Sequence, residues 1–208
     1  MDKPKALANM PDERQAKLFE VLIPTMPGRE FMLSQLMSVL EPQFARWPQA
    51  TFTADWGEGS IGAKRQRMIE TSKAEYVAFV DDDDMVSPDY LDRIMPCLQS
   101  HPDCVGISMH VTMDGRDWHP SPIFRHSLRF RENFQWHGQD RTPHHLCPLK
   151  REIAVRSRFP DLMWGEDYSF ALGLLTNLQT EEWSGDEPLY FYNYVSKKGD
   201  PPTPSQHL

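Results

Sequence analysis

A short apolar run that ends in four consecutive aspartates constrains this chain more than any other feature. Residues 76–80 (YVAFV) are apolar at every position, and residues 81–84 (DDDD) follow directly. A strand that is apolar on both faces is typical of a parallel sheet covered by helices on both sides. Open sheets of this kind bind ligands at the carboxyl ends of their strands. The pattern predicts a layered α/β fold with an acidic ligand site at one sheet edge.

The other apolar patterns alternate between strand and helix signals. Strands are predicted at residues 19–24, 50–54, 76–80, 104–109 and 189–195, and helices at residues 30–40, 61–72, 87–100, 150–156 and 167–178. Pro42 is expected to end the first helix, and Ser60 to cap the second. Residues 114–148 are rich in proline, histidine and tryptophan and are predicted to be irregular. This order favours a Rossmann-like, mainly parallel central sheet with helices on both faces.

Length and composition indicate one globular domain. The chain has 208 residues, of which 39% are hydrophobic and 25% charged, as in ordinary globular domains. We expect the domain to span residues 19–195, between a polar N-terminal extension (1–18) and a flexible tail (196–208). No apolar run approaches the ~20 residues that cross a bilayer, and no signal peptide is evident. Three cysteines without a CxxC pair fit a reducing compartment, so we expect a cytoplasmic protein with no membrane span.

The charge of the chain is unevenly distributed. The net charge of −8 excludes a uniformly basic nucleic-acid-binding protein. Residues 116–158, however, hold nine Lys or Arg against four Asp or Glu, which makes this segment +5 and the remainder −13. The segment is either an ordinary solvated surface or a cradle for an anionic partner.

The four aspartates suit a hard divalent cation. Side chains alternate along an extended chain, so Asp81 and Asp83 are expected to face one way, and Asp82 and Asp84 the other. A carboxylate pair two residues apart can share one Mg²⁺ or Mn²⁺ ion, which takes its remaining ligands from water and phosphate. The alternative is a solvated acidic turn that caps the helix at residues 87–100.

Several motifs, in order, resemble a known family. They are residues 21–25 (VLIPT), 60–66 (SIGAKRQ), 74–84 (AEYVAFVDDDD) and 165–167 (GED). A first strand, a helix bearing Lys and Arg, a DxD motif at the end of a strand and a later ED pair resemble the family 2 glycosyltransferases of the GT-A fold. The resemblance covers about residues 19–195. It implies a single GT-A domain with a nucleotide-sugar-binding half (19–110) and an acceptor-binding half (111–195).

The resemblance also implies roles for individual residues. The nucleotide-sugar-binding candidates are Pro24, Thr25, Arg29, Asp55, Lys64, Arg65, Asp81 and Asp82. The metal-binding candidates for Mn²⁺ or Mg²⁺ are Asp83 and Asp81. The candidate catalytic base is Asp167, with Glu166 as runner-up or orienting partner. Asp167 shares a helical stripe with Phe170 and Leu174, so it is expected to face the core or the cleft. The implied reaction is an inverting sugar transfer from a nucleotide diphosphate sugar, with UDP as the leading nucleotide.

The acceptor is the least determined part of this reading. Trp164 could stack on a sugar or a base, and the acceptor-binding candidates are Trp164, His144, His145, Arg129 and Arg131. The basic segment favours an anionic acceptor, such as DNA carrying hydroxymethylated pyrimidines. A surface glycan or a protein hydroxyl remains the alternative. His144, His145 and Cys147 could suggest zinc, but no second pair has the spacing of a zinc site.

Two other function classes remain open at this stage. A nucleotidyltransferase would also use clustered carboxylates, but it would need a glycine-rich phosphate loop early in the chain. Residues 25–29 (TMPGR) contain a single glycine, which disfavours that class. A non-catalytic sugar-nucleotide-binding protein would not need both Asp83 and the Glu166–Asp167 pair.

Overall fold

The computed structural model describes residues 17–118, 121–131 and 140–196. Its strands are β1 (Phe19–Pro24), β2 (Ala50–Asp55), β3 (Tyr76–Phe79), β4 (Met85–Val86), β5 (Cys104–Met113), β6 (Arg116–Asp117), β7 (Ile123–His126), β8 (Asp140–Arg141), β9 (Leu149–Lys150), β10 (Glu181–Trp183) and β11 (Tyr190–Tyr194). Its α-helices are α1 (Glu30–Arg46), α2 (Ile61–Thr71), α3 (Tyr90–Cys97), α4 (Arg151–Ser157) and α5 (Glu166–Leu175).

The strands form one sheet whose main path runs β2-β1-β3-β9-β5-β11-β4. β1 pairs in parallel with both β2 and β3, and β5 pairs in parallel with β11. The crossover from β1 to β2 and the crossover from β2 to β3 run in opposite directions across the sheet, so right-handed connections place α1 and α2 on opposite faces. α3 packs on α1, whereas α4 and α5 pack with α2. The predicted α/β architecture, with helices on both faces, is therefore confirmed.

The register of the first three strands assembles one ligand-binding edge. Pro24 at the end of β1 lies beside Asp55 at the end of β2. Leu22 of β1 lies beside Phe79, the last residue of β3. The loops that follow these strands, and the four aspartates with them, therefore meet at the same carboxyl edge, where ligands of open α/β sheets bind.

The predicted end of the first helix was wrong. Pro42 lies inside α1, which continues to Arg46. Proline in a helix interior removes one backbone hydrogen bond, but the turn that follows it is held by tertiary contacts. Gln43 is buried, and its side-chain amide donates to the Ser87 carbonyl at 3.0 Å while its side-chain carbonyl accepts from the Leu91 N–H at 2.8 Å. These bonds tie the last turn of α1 to the start of α3.

The segment predicted to be irregular contains short strands. β5 runs four residues beyond its predicted end, to Met113. β6 and β7 fold back on it in antiparallel pairing, and β8 pairs with β7. These two- to four-residue strands are too short to produce a recognisable periodicity of their own, so the pairing with β5 defines them.

The predicted outer segments lie largely outside the described residues. The N-terminal extension up to residue 16 and the tail from residue 197 belong to the undescribed parts of the chain. Among the described helices, none combines the length and the apolar character that crossing a bilayer requires.

Candidate active site

The four aspartates after β3 divide into an inward pair and an outward pair. Asp82 and Asp84 are buried, at 1% and 4% exposure. The Asp83 side chain is 46% exposed and the Asp81 side chain 28% exposed. The Asp84 N–H donates to the Asp81 carbonyl at 3.1 Å, so the residues form a β-turn. The predicted alternation is therefore present, although the backbone here is a turn and not an extended strand.

The inward pair is anchored by side chains from distant elements. The Thr25 hydroxyl donates to Asp82 Oδ2 at 2.6 Å, and an Arg29 nitrogen donates to Asp82 Oδ1 at 2.5 Å. The Tyr190 hydroxyl donates to Asp84 Oδ2 at 2.6 Å. Burial and the nearby Asp81 raise the pKa of Asp84 to about 8. Asp82 thus stabilises the loop after β1 rather than facing the open side of the site.

Arg65 joins the aspartate turn to the ED pair. Its side chain is buried in α2, and one guanidinium nitrogen contacts the Asp81 carboxylate at 2.8 and 3.1 Å. The other terminal nitrogen contacts Glu166 Oε1 at 2.6 Å. Burial lowers the pKa of Arg65, but Asp81, Glu166 and Asp167 raise it by more, so the group stays a cation. A buried arginine between two carboxylates fixes the relative position of β3 and α5.

Lys64 of α2 and Asp55 of β2 make contacts at the carboxyl ends of the first two strands. Lys64 is buried, and its Nζ donates to the Thr25 carbonyl at 2.5 Å. Asp55 accepts from the Gly57 N–H at 2.6 Å and from two nitrogens of Arg67 at 2.7 and 3.0 Å. Lys64 therefore stabilises the loop after β1 through its bond to the Thr25 carbonyl, and its predicted contact with phosphate stays a prediction. Arg67 is a residue that the sequence reasoning missed.

The ED pair opens α5. Gly165 precedes the helix at φ +77°, a conformation that favours glycine. Glu166 is buried against Arg65, and burial raises its pKa, although Arg65 opposes the shift. Asp167 is half-buried, and its Oδ1 accepts from the Tyr168 N–H at 2.8 Å. Asp167 is the more exposed carboxylate of the pair, and its predicted role as the base stays a prediction.

The two candidate histidines belong to a stack inside the domain. The rings of His126 and His144 lie 3.8 Å apart, and those of His144 and His145 lie 4.9 Å apart. Burial lowers the pKa of all three, with Arg141 and Arg65 adding to the effect, so they are neutral at pH 7. The ring of His145 packs edge-on against Phe79. Their predicted contact with the acceptor stays a prediction.

The other acceptor candidates lie in different surroundings. Trp164 is 78% exposed in the loop before α5. Arg129 lies over the Trp183 ring, 5.4 Å from its centroid. Arg131 donates to the Leu178 carbonyl at 2.9 Å at the C-terminal end of α5. The eight residue steps from Asp167 to Leu175 place the C-terminal end of α5 about 12 Å from the ED pair. Trp164 alone of these three lies in the loop next to the ED pair.

Two further residues that interact with the charges of the site were not among the sequence candidates. Tyr192 is half-buried on β11, and burial together with the charges of Asp84 and Asp81 raises its pKa. Arg141 is half-buried, and burial lowers its pKa, which Asp167 partly opposes. The signal for Tyr192 was present in the sequence, because residues 190–194 (YFYNY) place tyrosines at every second position of a strand.

The site supplies few ligands for a cation by itself. Among the described residues, no group of three or more His, Cys, Asp or Glu side chains is arranged to hold a metal ion. The outward carboxylates of Asp81 and Asp83 are nevertheless the oxygen ligands that Mg²⁺ and Mn²⁺ prefer. One or two carboxylates completed by substrate phosphates is a usual Mg²⁺ arrangement, so the donor set fits such an ion.

The fold resembles solved structures of S. aureus TarS. TarS 1-349 superposes with a TM-score of 0.60 at 15% identity, over 84% of this chain and 60% of that one. The longer TarS structure gives 0.61 at 17% identity, over 84% and 36% of the two chains. The complex of TarS 1-349 with UDP-GlcNAc gives 0.58 at 17% identity, over 88% and 59%. The chain thus spans about three-fifths of TarS 1-349, and the GT-A fold that the motifs predicted is confirmed.

The sequence comparison identifies the family. No match to a curated protein was found. The model of the family described as glycosyl transferase family 2 matches residues 51–156, just over half of the 208 residues. The matched stretch contains the helix with Lys64 and Arg65 and the complete aspartate turn. The chain belongs to glycosyltransferase family 2.

Proposed function

We propose that this chain transfers a sugar from a nucleotide diphosphate sugar, specifically a UDP-sugar, to an acceptor hydroxyl. The observation that carries the proposal is the Arg65 bridge. It holds Asp81, in the aspartate turn, and Glu166, in the ED pair, on one guanidinium. A group-transfer enzyme needs its donor site and its base within reach of one anomeric carbon, and this bridge fixes those two regions together.

The donor half has the groups that a nucleoside diphosphate requires. Asp55, at the end of β2, is held by Arg67 and is proposed to contact the base. Asp81 is proposed to contact the ribose or a water of the cation, and Arg29 lies beside the turn where the diphosphate would bind. The complexes of TarS with UDP and with UDP-GlcNAc support UDP as the nucleotide.

The aspartate turn is proposed to hold Mg²⁺ or Mn²⁺, with Asp83 as the direct ligand and Asp81 as its partner. When bound, the ion neutralises the negative charge that builds on the departing diphosphate. Asp82 and Asp84 are turned inward and are not proposed as ligands.

Asp167 is proposed as the catalytic base. It accepts the proton of the acceptor hydroxyl as that oxygen attacks the anomeric carbon, while the bond to the diphosphate breaks on the opposite face. Because the acceptor oxygen attacks from the face opposite to the leaving diphosphate, the anomeric configuration is inverted. Glu166 is committed to Arg65 at 2.6 Å, so we assign it an orienting role.

The acceptor is proposed to be a carbohydrate hydroxyl. Trp164, exposed in the loop next to the base, offers an aromatic face to a sugar ring. The alternative is a hydroxymethylated pyrimidine in DNA, which was suggested by the basic segment. Several arginines of that segment already have internal partners: Arg125 pairs with Asp140, and Arg151 donates to the carbonyls of Ile69 and Glu70. This observation favours the carbohydrate.

A donor panel tests the reaction class. UDP-, GDP- and dTDP-sugars are incubated with the protein and Mn²⁺, and nucleotide release is measured with and without EDTA. We expect release from a UDP-sugar that EDTA abolishes, and no release by the Asp83→Ala variant. Binding of UDP without any release would indicate a non-catalytic protein, and release of pyrophosphate from a nucleoside triphosphate and a sugar phosphate would indicate a nucleotidyltransferase.

An acceptor competition separates the two acceptor classes. Transfer is measured to oligosaccharides and to hydroxymethylated duplex DNA, at low and at high salt. We expect transfer to carbohydrate with little dependence on salt, and a loss of that transfer in Trp164→Ala. Transfer to DNA that falls steeply with salt would overturn the carbohydrate assignment.

The three free cysteines, two of them buried, support a reducing, cytoplasmic location.

A further inference from the structure

Tyr190 connects the last described strand of the sheet to the aspartate turn. Its side chain is fully buried in β11. Its hydroxyl accepts from the Asp81 N–H at 3.1 Å and donates to Asp84 Oδ2 at 2.6 Å. These partners lie 109 and 106 residues earlier in the chain. One hydroxyl thus binds both ends of the turn.

The orientation of the four carboxylates depends on such anchors. Regular alternation of side chains is a property of extended backbone, and residues 81–84 form a turn closed by the bond from the Asp84 N–H to the Asp81 carbonyl. Thr25 and Arg29 hold Asp82 inward. Tyr190 holds Asp84 inward. The second and fourth carboxyl groups are fixed inward, and the first and third, which contact Arg65 and Arg29, lie on the more exposed side of the turn.

We propose that Tyr190 is a positioning residue for the donor site, whose hydroxyl holds the aspartate turn so that Asp81 and Asp83 face the diphosphate together. This inference rests on the function proposed above. Removing the hydroxyl takes one hydrogen bond from the buried Asp84 carboxyl group, which keeps only its backbone hydrogen bond at Asn193, and leaves the Asp81 N–H without its acceptor. The turn then relaxes, and the two outward carboxylates no longer converge.

The chain supplies a matched control in Tyr76. Its side chain is also fully buried, and its hydroxyl donates one hydrogen bond, to the Pro102 carbonyl at 2.7 Å. It lies at the start of β3, and the five residue steps from Tyr76 to Asp81 span about 16 Å of extended chain. Tyr76→Phe therefore removes the same atom from a comparable environment, far from the turn.

The test compares Tyr190→Phe with Tyr76→Phe in the full chain. UDP binding is measured by calorimetry with and without Mn²⁺, and thermal unfolding is recorded for each protein. We expect both variants to lose thermal stability, and Tyr190→Phe to lose more, because it removes two hydrogen bonds instead of one. We expect Tyr190→Phe alone to raise the UDP dissociation constant in Mn²⁺, by about tenfold, which is the size of one buried hydrogen bond. In kinetics, the donor KM rises by a similar factor, with a smaller change in kcat.

The outcomes distinguish this inference from the proposed function. If the wild-type protein binds no UDP with Mn²⁺, the proposed function fails. If the wild type binds UDP and Tyr190→Phe binds it as tightly as Tyr76→Phe does, the inference is overturned. Asp84→Ala breaks the same hydrogen bond from the other side, and wild-type affinity in that folded variant would overturn it equally.

Discussion

The aspartate turn and the basic segment 116–158 are both concentrations of charge, but they use that charge differently. In the turn, buried anchors hold Asp82 and Asp84 inward, and Asp81 and Asp83 remain at the surface. In the basic segment, arginine side chains are occupied by internal partners: Arg125 pairs with Asp140, Arg129 lies over Trp183, and Arg131 donates to carbonyls at the end of α5. Asp81 and Asp83 also contact arginines, Arg65 and Arg29, so the difference between the two regions is that these carboxylates lie together at the carboxyl edge of the sheet.

The largest effect on transfer is expected at Asp167, in the first turn of α5. Asp167→Asn should keep UDP binding and reduce transfer by about 10²–10⁴-fold, because the amide cannot accept the proton of the acceptor hydroxyl. The measurement is nucleotide release with acceptor, alongside calorimetric UDP binding. Asp161→Asn, in the exposed loop just before α5, is the control; Asp161 accepts from the Ser60 hydroxyl, an amide oxygen can accept the same bond, and transfer should be normal. Full activity in Asp167→Asn would move the base to another residue.

The outward carboxylates are expected to give the next largest effect. Asp83→Asn should reduce transfer by about 10²–10³-fold and weaken UDP binding in Mn²⁺, because the charge on the leaving diphosphate loses its compensation. The Asp83 side chain is 46% exposed, so the melting temperature should change little. Asp117→Asn removes a carboxylate from the basic segment, at 70% side-chain exposure, and should leave both activity and stability unchanged. Equal effects of the two variants would contradict the contrast between the regions.

His126, the histidine of the stack that was not a site candidate, should affect stability and not catalysis. Burial, with Arg141, lowers the pKa of His126 to about 3. The unfolded chain takes up this proton below about pH 6.5 and the folded chain does not, so the free energy of unfolding falls as the pH falls from about 6.5 to 3. His126 contributes about 1.4 kcal/mol per pH unit within that window.

The variant His126→Gln isolates this contribution. Denaturant unfolding between pH 4 and 6 should show a slope of stability against pH that is smaller by about 1.4 kcal/mol per pH unit than in the wild type. Asp84, whose pKa is raised to about 8, contributes to the slope of stability against pH with the opposite sign. Because Asp84 is present in both proteins, its contribution cancels when the two slopes are subtracted. Identical slopes would show that His126 is protonated in the folded protein.

The smallest effect is expected for the arginines of the basic segment. Arg131→Gln removes a cation from the C-terminal end of α5, so it should lower the free energy of unfolding by about 0.5–1 kcal/mol without changing UDP binding. Arg116→Gln, on the exposed strand β6, is the control and should be neutral. If Arg131→Gln instead left stability unchanged and weakened salt-dependent DNA binding, the segment would be a nucleic-acid surface and the contrast with the aspartate turn would disappear.

Local sequence patterns predicted the elements that carry the site. β1 begins and ends at its predicted residues, and the Ser60 hydroxyl caps α2 by accepting from the Ala63 N–H at 3.0 Å. These features depend on residues a few positions apart, so periodicity and capping preferences find them. The helix past Pro42 and the short strands after β5 were not found, because partners far along the chain define them.

The sequence by itself determined the α/β order, the position of four carboxylates at the end of a buried strand, and the presence of a later Glu–Asp pair at a helix start. Only the tertiary structure decided which of those carboxylates face outward and that Arg65 reaches Glu166, 101 residues away. It also decided that Tyr190 closes the turn from the far end of the domain. The physical reason is that a turn has no intrinsic side-chain alternation, so the direction of each aspartate is set by the buried hydrogen-bond partner that the fold brings to it.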